Sequence, residues 1–433
     1  MPSLSTNKKI LYGLGGIAMS LPDSVFTQWI FVLYVPDTGN VLVSARVFGL
    51  CYFAARVLGA IAEPVVGFWS DRFQSPSGRR LPFVRRVIIP FAVAFFLMWT
   101  PPIHHQHWAN AIYIYLMMQA YLLCFPTVLT PYLALMPELT PDLRERVTIT
   151  TFQAVAMMLG TILFAVMGLL LEVGGWLLLG GSVALMMLLS MAPTALVIRE
   201  KPLAAPNPEG AGLLQSIWSL LQNRPFRYLV AATSLFFFGF NCVVMTLPFW
   251  VKVYLHEGDA MVTWLMIPFL AVTLILFAGI GPVVNRFGKY VMFMASLLSI
   301  AILLLMLAFV GFLPGLSPLL QIGLLTALLG VPMTGFSVLP FALLMDVIDY
   351  DEQRMGERRE ALFFAVQGTI QKIFLGFSGF AFSILAYMDG GNMVSVLGLR
   401  CVIGMAAFTS LLGFLVFLKY PIRERDGRIV VLE

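Results

Sequence analysis

Twelve long apolar stretches run through this 433-residue chain, and each has the ~20 residues a helix needs to cross the hydrocarbon core of a bilayer. Lipid offers the backbone no hydrogen-bond partner, so a spanning segment must satisfy its own N–H and C=O groups. Only helices and closed barrels do that, and continuous apolar runs select helices. The spans are read at 10–34, 44–69, 87–104, 110–136, 149–171, 175–198, 228–253, 260–284, 291–313, 317–346, 361–387 and 394–419. Gly and Pro recur inside them, as bundled membrane helices tolerate. Only 11% of residues are charged, against ~25% in a soluble domain. The predicted fold class is an all-α integral membrane protein with twelve transmembrane helices. Met1–Lys9 is polar and the first apolar segment is too long for a signal-peptide core, so no cleaved leader is expected.

Positive charge sorts by loop. Of the 27 Lys and Arg, 22 fall in the N-terminus, the tail and alternate connections, while Arg46, Lys252 and Arg400 lie near the opposite face. Cytoplasmic connections carry such an excess. Both termini and the middle linker are therefore expected in the cytoplasm, the membrane being a bacterial cytoplasmic one. The same bias explains the net charge of +5, and no nucleic-acid partner is expected. Segment 199–225 splits the chain into a six-helix half at 1–198 and another at 226–419, with a tail at 420–433. Transporters built from two similar halves place their substrate site near the midplane between them. Within the linker, LLQSIWSLLQ reads as an interfacial amphipathic helix with Leu213, Leu214, Ile217 and Leu221 on one face, or as a partly ordered connector.

Four ionisable residues, Asp23, Arg56, Glu63 and Lys372, sit deep inside these spans. A charge at the bilayer centre costs ~2.5–3.5 kcal/mol on insertion scales, so it faces a partner or a wet cavity and marks a functional site. Glu63 precedes Pro64. In a dry bundle such a carboxylate can carry a proton or ligate Na⁺. Arg56 and Glu63, seven apart, share one helix face, which also allows a structural ion pair. Asp23 follows Pro22, which removes a backbone donor and can open the helix locally; it reads as a substrate or coupling residue, with Gln28 as a further candidate.

Charged clusters border the cytoplasmic ends of several spans. The first is Glu63–Phe83, with Asp71, Arg72 and Arg80. The second is Pro131–Arg146, with Glu138, Asp142 and Arg146. The third is Asp346–Lys372, with Asp346, Asp349, Arg358 and Arg359. Ion pairs between such helix ends can hold one access state closed; solvated loop charges are the alternative. These three clusters, in this order, resemble the glycoside–pentoside–hexuronide:cation symporter family, the melibiose-permease branch of the major facilitator superfamily, over essentially all twelve helices.

That resemblance implies a major-facilitator fold of two six-helix halves, alternating access, and coupling to H⁺ or Na⁺. It places Glu63 at the second of two cation-binding acids and Lys372 at the span-eleven lysine near cation and substrate, with Arg56 as their structural partner. Two further family acids are replaced here by Gly59 and Leu129, which weakens the Na⁺ expectation and favours H⁺ coupling or uncoupled facilitation. Thr127 and Thr130 could lend hydroxyl oxygens beside Leu129. Gln153 stands near the place of a sugar-contacting arginine, and Gln367 and Gln371 flank Lys372; all five, with Asp23 and Gln28, are substrate-binding candidates. The absent arginine argues against melibiose-like disaccharide recognition. Relatives in the broader group carry lysophosphatidylcholine, so an amphipathic lipid is the second cargo class.

Cys51, Cys124, Cys242 and Cys401 fall inside apolar spans without metal-ligand spacing. His104, His105 and His107 form a solvated loop cluster rather than a metal site. No phosphate loop, HExxH or Ser-His-Asp set is visible, so the chain is expected to be a carrier rather than an enzyme, with no cofactor beyond a coupling ion. The leading expectation is a monomeric H⁺- or Na⁺-coupled symporter of a small polar organic solute, a glycoside among the candidates. A lysophospholipid carrier and a non-transporting sensor or assembly factor are the alternatives.

Overall fold

The structure is a computed structural model that describes residues 5–37, 39–73, 75, 78–140, 143–198, 200, 213–312, 315–356, 359–388, 393–425 and 428–431. Its helices divide into two compact units, Met1–Pro208 with Gly258–Thr263, and Glu209–Glu257 with Trp264–Glu433. Among the described residues, eleven helical segments are long and apolar enough to cross a membrane by length and composition. The helix Leu81–Leu97, at 17 residues, stands at the lower end of the spanning range and supplies the twelfth.

The first unit comprises α1 Thr6–Gly13, α2 Gly16–Tyr34, α3 Ala45–Arg72, α4 Leu81–Leu97, α5 Trp108–Leu139, α6 Leu143–Ala165 and α7 Met167–Val197. Here α3 and α4 pack on α5, α2 packs on α6 and α7, and α4 packs on α7. Small residues set the α2–α6 distance. A Cβ on Gly16 would lie 2.3 Å from the Gln153 carbonyl oxygen, and the Ser20 hydroxyl donates to the Met157 carbonyl at 3.0 Å. Without a hydrophobic force between helices in lipid, such close approach supplies the packing. The expected span 149–171 ends earlier, at Ala165, and Gly175 (φ 64°) breaks α7 into 167–174 and 176–197. That conformation is costly for any residue with a Cβ.

Two polar clamps tie α4 to the end of α7. The Glu200 carboxylate accepts the backbone N–H groups of Arg79, Arg80 and Leu81 at 2.8–3.1 Å, occupying the donors that the start of α4 leaves unpaired. Arg85 donates to the Ala195 and Ile198 carbonyls at 2.6 and 3.3 Å, at the opposite pole of α7's dipole. In the loop of the His cluster, the His107 imidazole accepts from Ala109 N–H, and buried Asn110 donates to the carbonyls of Leu42, Ile103 and His105, while His104 and His105 are exposed.

The second unit comprises α8 Leu213–Gln222, α9 Arg224–Phe249, α10 Ala260–Phe277 from Trp264 onward, α11 Ile280–Phe287, α12 Lys289–Ala308, α13 Pro318–Met355, α14 Glu360–Leu385 and α15 Val396–Phe417, followed by paired strands β1 Ile422–Arg425 and β2 Arg428–Val431. α9 runs on as a wide π-helical segment, Trp250–Leu255. α9 packs on α14 and α15, and α12 on α13 and α15. The LLQSIWSLLQ segment forms α8 over its full ten residues, so the helical reading of the linker holds. The expected span 260–284 ends at Phe277, and a separate turn of helix follows from Gly279.

Candidate functional site

In the first unit the buried cation and the buried acid of α3 and α2 find each other. Arg56 Nη1 donates to Asp23 Oδ1 at 2.7 Å; its side chain is 4% exposed and that of Asp23 is 32% exposed. Nη2 donates to Thr27 Oγ1 at 2.8 Å and Nε to Tyr52 Oη at 3.2 Å. The guanidinium also lies 4.9 Å from the centroid of the Phe26 ring and 5.3 Å from that of Tyr52, within cation–π range. The local logic is helical. Tyr52 stands four residues before Arg56 and Thr27 four after Asp23, so each pair shares a face. All three donor nitrogens are thereby engaged, which lets a guanidinium be buried at all.

Among the partners that the sequence leaves open for Arg56, Asp23 is the acid it meets here. Seven residues along a helix rise about 10.5 Å, too far for two side chains to meet comfortably, whereas Asp23 lies directly across on α2. Glu63 is half-buried two turns further along α3.

Other polar atoms of this unit are buried without hydrogen-bond partners among the described residues, Gln28 Nε2 on α2 and Tyr121 Oη on α5 among them. The Tyr121 ring lies 5.6 Å from Phe26 and stacks on Phe91 at 5.5 Å. A buried unpaired polar group costs ~1–3 kcal/mol, so such groups point to water or a ligand that completes them. Tyr121, Tyr52, Thr27 and Phe26 escaped the sequence reading; the i±4 neighbours of Asp23 and Arg56 were the available signal for two of them.

The other substrate candidates are placed variously. Gln153, buried on α6, donates to the Met19 sulfur at 3.0 Å, in the α2–α6 seam. Thr127 donates to its own helix at the Leu123 carbonyl, 2.7 Å, and Thr130 is half-buried. In the second unit Gln371 donates to Thr233 Oγ1 at 3.2 Å, and Asn241 to Ser378 Oγ at 2.6 Å. Together these bonds fasten α14 to α9. Lys372, the next residue after Gln371, is half-buried. Gln367 is buried with its carbonyl oxygen unpartnered.

Of the expected gate residues, Asp346 pairs with Lys289 at 2.6 Å and Arg359 with Asp351 at 2.7 Å, both within the second unit. Arg359 also donates to Ser219 Oγ of α8, and Asn223 to Asp351, at 2.7 and 3.0 Å. The linker helix is thus bound to the ends of α13 and α14. In the first unit Arg146 donates to the Thr140 carbonyl at 2.9 Å, beside the Lys9–Glu145 pair at 2.9 Å. Arg80 is buried and Asp349 half-buried. The side chains of Asp71, Arg72, Glu138, Asp142 and Arg358 lie outside the described residues. No group of three metal-binding side chains occurs among the described residues.

The family described as MFS/sugar transport protein matches residues 11–424. The chain belongs to this family. It is a membrane transport protein of helical architecture and not an enzyme. The isoprimeverose transporter of Lactiplantibacillus pentosus is 24% identical over 386 residues, 86% of this chain and 78% of that one. Two other relatives match in part: the uncharacterized symporter sll1374 of Synechocystis is 30% identical over 182 residues (40% of this chain), and the mouse sphingosine-1-phosphate transporter MFSD2B 32% over 166 residues (37% of this chain). The chain spans only 33% and 32% of these two relatives' lengths. Among solved structures, a D-xylose-proton symporter superposes with a TM-score of 0.68 at 16% identity, over 98% of this chain and 99% of that one, which speaks for the fold.

Proposed function

We propose that this chain is a secondary active transporter that carries a small polar organic solute by alternating access, in symport with H⁺ or Na⁺. Glycosides lead the substrate classes. The observation that carries this reading is the Asp23–Arg56 pair, sunk within two apolar spans yet with its carboxylate one-third open. A half-open acid backed by a buried, fully engaged guanidinium is an acceptor pre-set for solute hydroxyls, with Gln28 and Tyr121 as further polar contacts. Glu63 serves as the coupling acid and Lys372 as its counter-charge. Both termini face the cytoplasm and the chain works as a monomer.

The family match and the isoprimeverose relative support a sugar-like solute. A lysophospholipid-like cargo is the second reading, favoured by the MFSD2B match and by Gln153–Ala154 standing where an arginine would contact sugar. Proteoliposomes containing the chain, challenged with glycoside and lysolipid panels under separate Na⁺ and H⁺ gradients, decide between them. Gradient-driven accumulation of a glycoside is expected. Gradient-driven uptake of lysolipid alone would install the second reading, and no uptake of either would sink both.

A further inference from the structure

Beyond the transport reading, which it neither needs nor alters, the second unit carries a groove on its apolar exterior. α10 and α13 touch at Gly330, where a Cβ would come 2.6 Å from the Phe269 carbonyl oxygen. Thr273 donates to the Gly330 carbonyl there, and Thr334 to that of Thr273, both at 3.3 Å. Past this contact α10 ends at Phe277 and α11 begins after Gly279, and α11 packs on α12. A space of about 560 Å³ opens among these helices, a volume in the range of small-molecule sites. Leu276, Ile280 and Val283 form one wall; Ile302, Leu328 and Val331 form the other. Val283, Ile302, Leu328 and Val331 are each 40–50% exposed, so the groove is open rather than part of the core. Two of its hydroxyls are withdrawn: Ser296 donates to the Met292 carbonyl and Thr334 also to that of Gly330, both at 2.9 Å on their own helices.

A cation follows the groove wall on α11. Arg286 lies one turn beyond Val283 on α11, so the two share a face. It is exposed, touches the Phe287 ring at 5.5 Å, and makes no ion pair among the described residues. The next cation, Lys289, is already held by Asp346. Tyr290 lies against Tyr420, with ring centroids 6.5 Å apart, so this end of the groove is the end at which the chain leaves its last span. An apolar slot followed by a cation that makes no ion pair among the described residues matches one kind of molecule: an acyl chain below an anionic phosphate.

We propose that the α10–α13 groove binds one acyl chain of an anionic glycerophospholipid, with Arg286 holding its phosphate. The slot seats the chain by van der Waals packing, the force left to apolar groups that are already in lipid, and the arginine supplies headgroup preference. Titration of the purified full chain with dioleoyl-phosphatidylglycerol and dioleoyl-phosphatidylcholine, read by native mass spectrometry, tests this. One high-affinity phosphatidylglycerol adduct is expected. Ala295→Phe, which fills the groove from its exposed floor, should abolish that adduct. Leu189→Phe, an exposed apolar position in the first unit, should keep it. Arg286→Gln should weaken phosphatidylglycerol about fivefold, the worth of one basic residue at an anionic surface, and weaken phosphatidylcholine, whose phosphate charge is balanced by its own choline, by less. The proposal is overturned if Ala295→Phe, eluting as a monodisperse folded chain, retains the adduct, or if Arg286→Gln binds both lipids as the parent does.

Discussion

Removing the Asp23 charge should destabilise the first unit more than removing its partner, although both changes delete the same ion pair. Arg56 is 4% exposed and Asp23 32%, so Asp23→Asn leaves a guanidinium that water cannot reach. Breaking a fully buried pair costs ~3–5 kcal/mol. Here Arg56 keeps Thr27, Tyr52 and two ring faces, and Asn can still accept a bond, which brings the expected cost to about 2–3 kcal/mol, the upper range for a charge-assisted hydrogen bond. At ~2–4 °C per kcal/mol for a unit of ~200 residues, the midpoint of unfolding falls by roughly 5–10 °C. Arg56→Gln leaves an acid that solvent can still hydrate, and should cost about half as much. The double variant should lie near the Asp23→Asn value rather than at the sum, a coupling of at least ~1 kcal/mol. Intrinsic cysteine- or tryptophan-monitored melting of the four purified proteins at one scan rate measures this. Effects that add within ~0.5 kcal/mol would mean the two residues act independently, and the pair would not be the organising contact described.

Glu63→Gln should abolish solute accumulation against a gradient while leaving exchange across proteoliposomes intact; undiminished accumulation would remove Glu63 from coupling. Glu200→Gln loses the charged acceptor for three N–H groups at the start of α4. A cost of about 1–2 kcal/mol is expected, visible as faster hydrogen exchange at Arg79–Leu81, and unchanged exchange there would refute the clamp. Gly16→Ala drives a methyl onto the Gln153 backbone and should lower stability by ~1–3 kcal/mol, as overpacking does; a melting midpoint equal to the parent's would show that α2 and α6 yield freely.

Much of the architecture was legible before any coordinates, because in lipid the backbone rule and the length of apolar runs nearly determine each other. The start of α8 at Leu213 was readable from its amphipathic pattern, and the early end of α10 was not, because Gly279 interrupts an apolar run without changing its hydropathy. Residue type and depth likewise singled out Asp23, Arg56, Glu63 and Lys372. What they did was less legible. A spacing of seven offered Glu63 to Arg56 on one helix, and nothing in the sequence said whether α2 would pass close enough to offer Asp23.

The chain by itself therefore determined the number and kind of its helices and which charges had to be buried, since both follow from transfer free energies that act residue by residue. Tertiary structure decided who pairs with whom: Asp23 with Arg56, Arg359 with Asp351 and Ser219, Glu200 with the start of α4. It also opened the groove beneath Gly330. Those outcomes depend on distances between helices far apart in sequence, set by where glycines and small side chains let backbones approach.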